Sequence, residues 1–283
     1  MSRQAVFLIR TTDRKGLVAE ITGFFATRDL NIMECRQYTD IIENKYYMRI
    51  ALEMPPGLTR AELEGEFKIL AEKLDLNFSV HYSGEVQNVA VMVSKTSHCL
   101  YDLLTNSEEN LLGGGKVTLV IGNHPDLEEV AEKFRVPYYC CPLTESGDRN
   151  QEAKVMELID RHRIDLVVLA RYMRILSDDF INHYPERIIN IHHAFLPAFM
   201  GGNPYQRAWE RGVKMIGATA HYATADLDEG PIIEQDVERI THESLPEDLK
   251  SRGRDIERRV LTRAVRAHLE HRVIISGHRT IVF

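Results

Sequence analysis

Strands and helices alternate along most of this 283-residue chain, which predicts an α/β protein made of two units. Residues 1–84 read β-α-β-β-α-β, the order of a ferredoxin-like unit. Residues 85–283 read as repeated strand and helix, the pattern of an open, mostly parallel sheet wrapped on both sides. Gly84 and the polar run Glu85-Val86-Gln87-Asn88 mark the boundary.

Composition narrows the function classes. Hydrophobic residues make up 44% and charged residues 27%, enough apolar surface for buried cores in both units. The net charge of −7 argues against a general nucleic-acid binder, which needs a basic face. No apolar run approaches the roughly 20 residues that span a bilayer. The chain starts almost at once with the strand-like Ala5-Val6-Phe7-Leu8-Ile9, so no signal peptide is expected and the expected location is cytoplasmic. Cys35, Cys99, Cys140 and Cys141 fit neither a zinc motif nor a disulfide framework and read as reduced, packing thiols.

In the first unit, Ala5 to Arg10 alternates poorly and reads as a buried strand. Leu17, Val18, Ile21, Phe24 and Phe25 recur at helical spacing after a turn at Asp13-Arg14-Lys15-Gly16. Asn31 to Tyr38 and Tyr46 to Leu52 form a hairpin around Glu43-Asn44-Lys45. Thr59 caps a helix over 60–74, with Glu62 completing a capping box. Asn77 to Tyr82 closes the unit.

In the second unit the expected order is strand Val89 to Val93, a helix near 98–105, strand Lys116 to Ile121, a short helix near 126–134 and strand Tyr138 to Cys141. Helix 150–163 and strands Asp165 to Ala170 and Arg187 to Ile191 follow. A long charged helix, roughly 246–270, ends in two short strands and reads as packing. The loop Ser94-Lys95-Thr96-Ser97-His98 has no glycine, so it is neither a dinucleotide fingerprint nor a P-loop. Gly113-Gly114-Gly115 precedes a strand and reads as a turn.

The chemistry concentrates at strand ends, where ligands of open sheets bind. Asn190 and His192 lie two apart on an apolar strand and face the same way. Asp228 follows in a loop closed by Gly230-Pro231. An amide, an imidazole and a carboxylate together can polarise a carbonyl and move protons around it. A carboxylate walled by Leu227 and Pro231 is expected to have a raised pKa. A metal site of His192, His193, His221 and Asp228 is the competing reading, but adjacent strand residues face opposite ways, so His192 and His193 do not readily share an ion.

Asn190-Ile191-His192-His193-Ala194-Phe195-Leu196-Pro197, Gly217-Ala218-Thr219-Ala220-His221-Tyr222 and Leu227-Asp228-Glu229-Gly230-Pro231 resemble the folate-dependent formyltransferases, as does Met173-Arg174-Ile175-Leu176-Ser177. That group includes the glycinamide ribonucleotide and methionyl-tRNA enzymes. The resemblance implies a Rossmann-like formyltransferase-type domain over 85–283, with Asn190, His192 and Asp228 catalytic and His221 supporting the aspartate. It places the pterin against Arg171, Tyr172, Met173, Arg174, Ile175 and Leu176, with Ile175 and Leu176 as apolar walls. No metal and no tightly bound cofactor are implied, 10-formyltetrahydrofolate being the substrate. His193 stands where the transformylases have proline. The glycine-free Ser94 to His98 loop departs from the loop that cradles the acceptor's phosphate in the transformylase. Losing that cradle favours water as acceptor, hence hydrolysis to formate and tetrahydrofolate, over transfer to an amine.

Asp13-Arg14-Lys15-Gly16-Leu17-Val18, with Asn31-Ile32 after the helix, resembles the ACT regulatory domain. The resemblance implies an amino-acid effector, glycine or methionine, near Asp13, Lys15 and Gly16, and a homo-oligomer paired through this unit. Lys15 replaces a common proline, and a copy that binds nothing and only associates, or a sensor without catalysis, are the other readings.

Overall fold

Ala5, Phe7 and Ile9 are fully buried, whereas Val6 and Leu8 between them are only partly so. Strand β1 (Gln4–Thr12) therefore alternates, contrary to the expectation of a strand buried on both faces. The computed structural model, which describes residues 3–142, 149–198 and 204–283, explains the difference. Helices α1 (Leu17–Ala26) and α2 (Arg60–Leu74) supply the residues that pack with one face of a four-stranded antiparallel sheet. The sheet order is β2-β3-β1-β4, with β2 at Ile32–Asp40, β3 at Lys45–Glu53 and β4 at Asn77–Tyr82. Helix α2 starts with the capping box expected of Thr59 and Glu62. Gly16, at φ 94°, supplies the left-handed turn that starts α1.

The core of this unit is aromatic. The Phe67 ring lies 4.7 Å from Phe7, 5.2 Å from Phe24 and 4.9 Å from Phe78, centroid to centroid. By contacts, the unit runs to Glu85 and also takes in His271–Ser276 and Ile281–Phe283. The C-terminal segments, assigned by sequence to the second unit, join this one through specific bonds. Arg49 Nε donates to the His271 carbonyl at 2.9 Å, and the Tyr47 and Ser276 hydroxyls lie 2.5 Å apart. Tyr46 to Leu52 of β3 are accordingly buried without alternation.

The second unit comprises Val86–Glu270 and Gly277–Thr280. Its strands are β5 (Gln87–Val93), β6 (Gly115–Gly122), β7 (Tyr138–Cys140), β8 (Leu166–Leu169), β9 (Ile188–His192), β10 (Met215–Tyr222) and β11 (Ile232–Arg239). They form one sheet in the order β11-β10-β9-β8-β5-β6-β7. β9, β8, β5, β6 and β7 are parallel, whereas β10 runs antiparallel to both neighbours. Ala90 to Val93 and Leu166 to Leu169 are buried throughout, as strands covered on both faces must be. The covering helices are α3 (His98–Glu108), α4 (Glu128–Lys133), α5 (Arg149–Arg161), α6 (Asp178–His183), α7 (Pro204–Arg211) and α8 (Pro246–Leu269). β12 (Val273–Ser276) and β13 (Arg279–Val282) pair as a hairpin. No helix among the described residues is long and apolar enough to cross a membrane.

Two features of this sheet set up the site. Consecutive strands β5 and β6 are neighbours, while the chain later returns to the other side of β5 through β8. The crevice at such a switch point is where open sheets bind ligands. In addition, β10 meets β9 antiparallel, so residues directly opposite share a face.

The packing around Phe67 gives the first prediction. Phe67→Ala empties the centre of the first unit's core and lowers stability by about 3–5 kcal/mol, measurable as a shift of the denaturation midpoint.

Candidate active site

Asn190 and His221 are cross-strand partners on β9 and β10, and His192 faces Thr219 two positions further on. The register brings the Asn190 Nδ2 to 3.2 Å from His221 Nε2. His221 Nδ1 lies 2.9 Å from the Tyr222 carbonyl, which can only accept, so Nδ1 carries the proton. A neutral ring accepts at Nε2 from the Asn190 amide, and a protonated one donates there to Asp228 Oδ1. The second amide hydrogen of Asn190 remains for the cavity.

Asp228 reaches the same place from the loop between β10 and β11. It adopts a left-handed φ of 59°. The loop is held tightly against β10, since a Cβ on Gly230 would lie 1.7 Å from the Tyr222 carbonyl oxygen. His192 Nδ1 is 3.1 Å and His221 Nε2 is 3.7 Å from Asp228 Oδ1. Both histidines address one oxygen, which leaves Oδ2 for another partner.

The expectation of a raised Asp228 pKa is overturned. Burial does push the carboxyl up, but hydrogen bonds and charge from His192 and His221 outweigh it and hold the pKa well below the usual carboxylate range. The apolar neighbours Leu227 and Pro231 were visible in sequence, whereas the two imidazoles on Oδ1 come from elsewhere in the sheet. Asp228 is therefore ionised at neutral pH.

His192 Nε2 is buried and has no hydrogen-bond partner among the described residues. The group lines a cavity of about 260 Å³, together with Asn190, His193, His221, Asp228 and the whole run Arg171 to Leu176. The six pterin-side residues expected from sequence are thus in this wall. The Met173 amide donates to Ser94 Oγ at 3.0 Å, tying that wall to the end of β5 across the switch point. The Tyr172 hydroxyl accepts from Gln151 at 3.0 Å. Leu176 belongs to the buried core, whereas Ile175 is 71% exposed and stands at the mouth rather than inside. Asp13, Lys15 and Gly16 lie in the other unit, on the β1–α1 loop, where the Asp13 amide donates to the Asn44 carbonyl at 2.9 Å.

One buried network was missed by sequence reasoning. Glu257 of α8 is 1% exposed. Its Oε2 lies 2.8 Å from His98 Nε2 and 3.5 Å from Arg171 Nε, and its Oε1 accepts from the Tyr205 hydroxyl at 2.6 Å. Burial raises the Glu257 pKa, but these partners, His98 first, bring it below its ordinary value. Gly253 makes room for the Tyr205 ring, since a Cβ there would meet it at 2.2 Å. The signal was the helical spacing: Glu257 falls on the stripe of Gly253, Ile256, Val260, Leu261 and Ala264. His98, Cys99 and Glu257 hold ligand-type atoms within 4.8 Å of one another, the group of described residues best placed for a metal ion. Glu257 is already engaged by His98, Tyr205 and the Arg171 charge, and burial pushes the Cys99 thiol up, away from the thiolate a metal needs.

Comparison with known proteins gives the family. Residues 87–265 match the family model described as Formyl transferase, which sets the class. A formyltetrahydrofolate deformylase of Synechocystis sp. is 46% identical over 280 residues, covering 99% of this chain and 98% of its own. The crystal structure of a formyltetrahydrofolate deformylase from Pseudomonas syringae pv. tomato superposes with a TM-score of 0.96 at 38% identity, over 100% of this chain and 95% of that one. Glycinamide ribonucleotide transformylase 1 from Symbiobacterium toebii gives 0.67 at 32% identity, over 72% of this chain and 97% of its own. The chain belongs to the formyltetrahydrofolate deformylase family.

The low Asp228 pKa carries a stability prediction with a definite sign. A carboxyl whose folded pKa lies below its unfolded value stabilises above the unfolded pKa and loses that contribution as pH falls through the folded one. Asp228→Asn is therefore less stable than the parent at pH 7, and the gap narrows as the pH drops below about 4, as denaturant titrations at the two pH values report.

Proposed function

We propose that this chain hydrolyses 10-formyltetrahydrofolate to formate and tetrahydrofolate, with Asn190, His192 and Asp228 carrying the chemistry and His221 positioning them. The observation that supports it most is the convergence of His192 and His221 on one oxygen of Asp228 beside a cavity lined by Arg171 to Leu176. The folate enters against that wall and presents its formyl carbon to the cluster.

Water adds to the formyl carbon, and the carbonyl electron pair moves to oxygen. The free Asn190 amide hydrogen and a protonated His192 Nε2 donate to the oxyanion. Asp228, 3.1 Å from His192 Nδ1, holds the ring so that Nε2 faces the substrate. Asp228 Oδ2 takes the proton the water sheds. In the tetrahedral intermediate N10 is an amine rather than an amide, so it is basic enough to receive that proton from a carboxyl of low pKa. The C–N bond then breaks, formate leaves, and Asp228 returns to its starting state.

Hydrolysis rather than transfer fits the buried network. His98, the first residue of α3, is engaged by Glu257 instead of facing an acceptor, and its loop has no glycine to cradle a phosphate. Residues 1–84 are read as an ACT-type regulatory unit on the strength of their βαββαβ order and the exposed Lys15-Gly16 turn. In this reading the enzyme is a cytoplasmic homo-oligomer, and glycine or methionine binds near Asp13, Lys15 and Gly16.

The protein supplied with 10-formyltetrahydrofolate alone releases formate, and Asn190→Ala lowers kcat about 100- to 1000-fold with little change in KM. Turnover that appears only when glycinamide ribonucleotide is added makes the protein a transferase and overturns the reading. Calorimetric titration with glycine and methionine gives heat for one of them, lost in Lys15→Ala; no heat and no change in activity with either removes the regulatory reading.

A further inference from the structure

His193 is a polar side chain the mechanism above does not use. It is 9% exposed, and its ring centroid lies 5.2 Å from that of His192 and 6.2 Å from that of Tyr205. Hydrogen bonds engage His192 at Nδ1 and His221 at both ring nitrogens, and none among the described residues involves His193. The carboxylate nearest in its network is already committed, because His98, Tyr205 and Arg171 share the oxygens of Glu257. Burial and the neighbouring Arg171 push the His193 pKa down to about 3, so the ring is neutral at working pH. A neutral imidazole has one donor and one acceptor nitrogen. Among the described residues no group bonds the His193 ring, and the ring lines two cavities from which a partner can come.

Those cavities differ. On one side is the site cavity with His192 and Asp228. On the other is an apolar cavity of about 280 Å³ walled by Phe195, Ala208, Met215 and Val237, among others. A water molecule finds polar partners on the first side and almost none on the second. On the first side His192 Nε2 is a donor for the formyl oxygen, which leaves two acceptors for a water: the open Asp228 Oδ2 and a His193 ring nitrogen. Binding both hydrogens of one water turns an oxygen lone pair towards the carbon.

We propose that His193 is a catalytic residue of the hydrolysis, its neutral imidazole holding one hydrogen of the attacking water while Asp228 holds the other. The proposal rests on the hydrolytic reading above. As the C–O bond forms, the hydrogen on Asp228 passes through the carboxyl to N10 and the C–N bond breaks. The hydrogen on His193 stays on oxygen and leaves with formic acid, which ionises to formate. His193 gains and loses no proton, so its low basicity suits an acceptor that orients water without removing a proton from it.

The test compares His193→Leu and His193→Asn with the parent, using hydroxylamine as an added small nucleophile and subtracting the enzyme-free rate. Formate release by the parent without an acceptor decides the hydrolytic reading; the variants decide this one. His193→Leu lowers kcat for hydrolysis about 100-fold, the scale of a misplaced reactant, with KM for the folate unchanged. Its ratio of formohydroxamate to formate rises about tenfold or more, because hydroxylamine does not depend on the water's seat. His193→Asn keeps an acceptor oxygen and recovers part of the hydrolytic rate. Should His193→Leu not fold, His193→Ala with added imidazole replaces it, and restored formate release supports the proposal while no restoration overturns it. Formate release by His193→Leu within threefold of the parent, or equal losses of both products with His193→Asn no better than His193→Leu, also overturns it.

Discussion

Asp228 Oδ1 receives two imidazoles, His192 at 3.1 Å and His221 at 3.7 Å, and most of the site follows from that convergence. Together they keep a largely buried carboxyl ionised against the desolvation that would otherwise protonate it. They also determine which oxygen stays open to the cavity. The arrangement depends on the antiparallel register of β9 and β10, because Asn190 sits opposite His221. A slip of one residue would turn these side chains to the other face of the sheet.

The surrounding structure defends that register. Thr219 is fully buried between the strand and the loop that follows the two histidines. Its hydroxyl donates to the Ala194 carbonyl and accepts from the Leu196 amide and the Gln235 side chain. The loop after His193 is thus tied to β10, and Gly230 lets the Asp228 loop lie against the Tyr222 backbone. On the far side, Ser94 ties the end of β5 to the Met173 wall. These bonds set the positions of groups that must act together within fractions of an ångström.

The acceptor side is occupied by chemistry of a different kind. His98 and Tyr205 hydrogen-bond the Glu257 carboxylate in the interior, and Arg171 lies 3.5 Å from it, so the buried charge is paired. Arg171 belongs to both environments, lining the site cavity and facing Glu257. Burial lowers the pKa of the adjacent His193, and the Arg171 charge adds to that. A site with a paired interior carboxylate and no glycine cradle suits a small nucleophile better than a phosphorylated amine.

Much of this was legible along the chain. Helix α2 and its capping box at Thr59 and Glu62 follow from local side chain to backbone bonding, and the apolar run at β9 follows from burial on both faces. The grouping of Asn190, His192, His221 and Asp228 was legible through family resemblance, not through spacing. What the sequence could not contain was pairing. Nothing local says that β10 runs antiparallel to β9, that His271 to Ser276 return to cover β3, or that Glu257, on the inward stripe of its helix, meets His98 and Tyr205. The sign of the Asp228 shift was misjudged for the same reason: its apolar neighbours are adjacent in sequence, while the imidazoles that outweigh them arrive across the sheet. By itself the sequence determined which elements form and which functional groups exist, because helices, caps and buried strands are decided within a few residues. Only the tertiary structure decided which groups touch, which oxygen of Asp228 stays open and which site histidine has no partner among the described residues, because each depends on strand register and packing between distant segments.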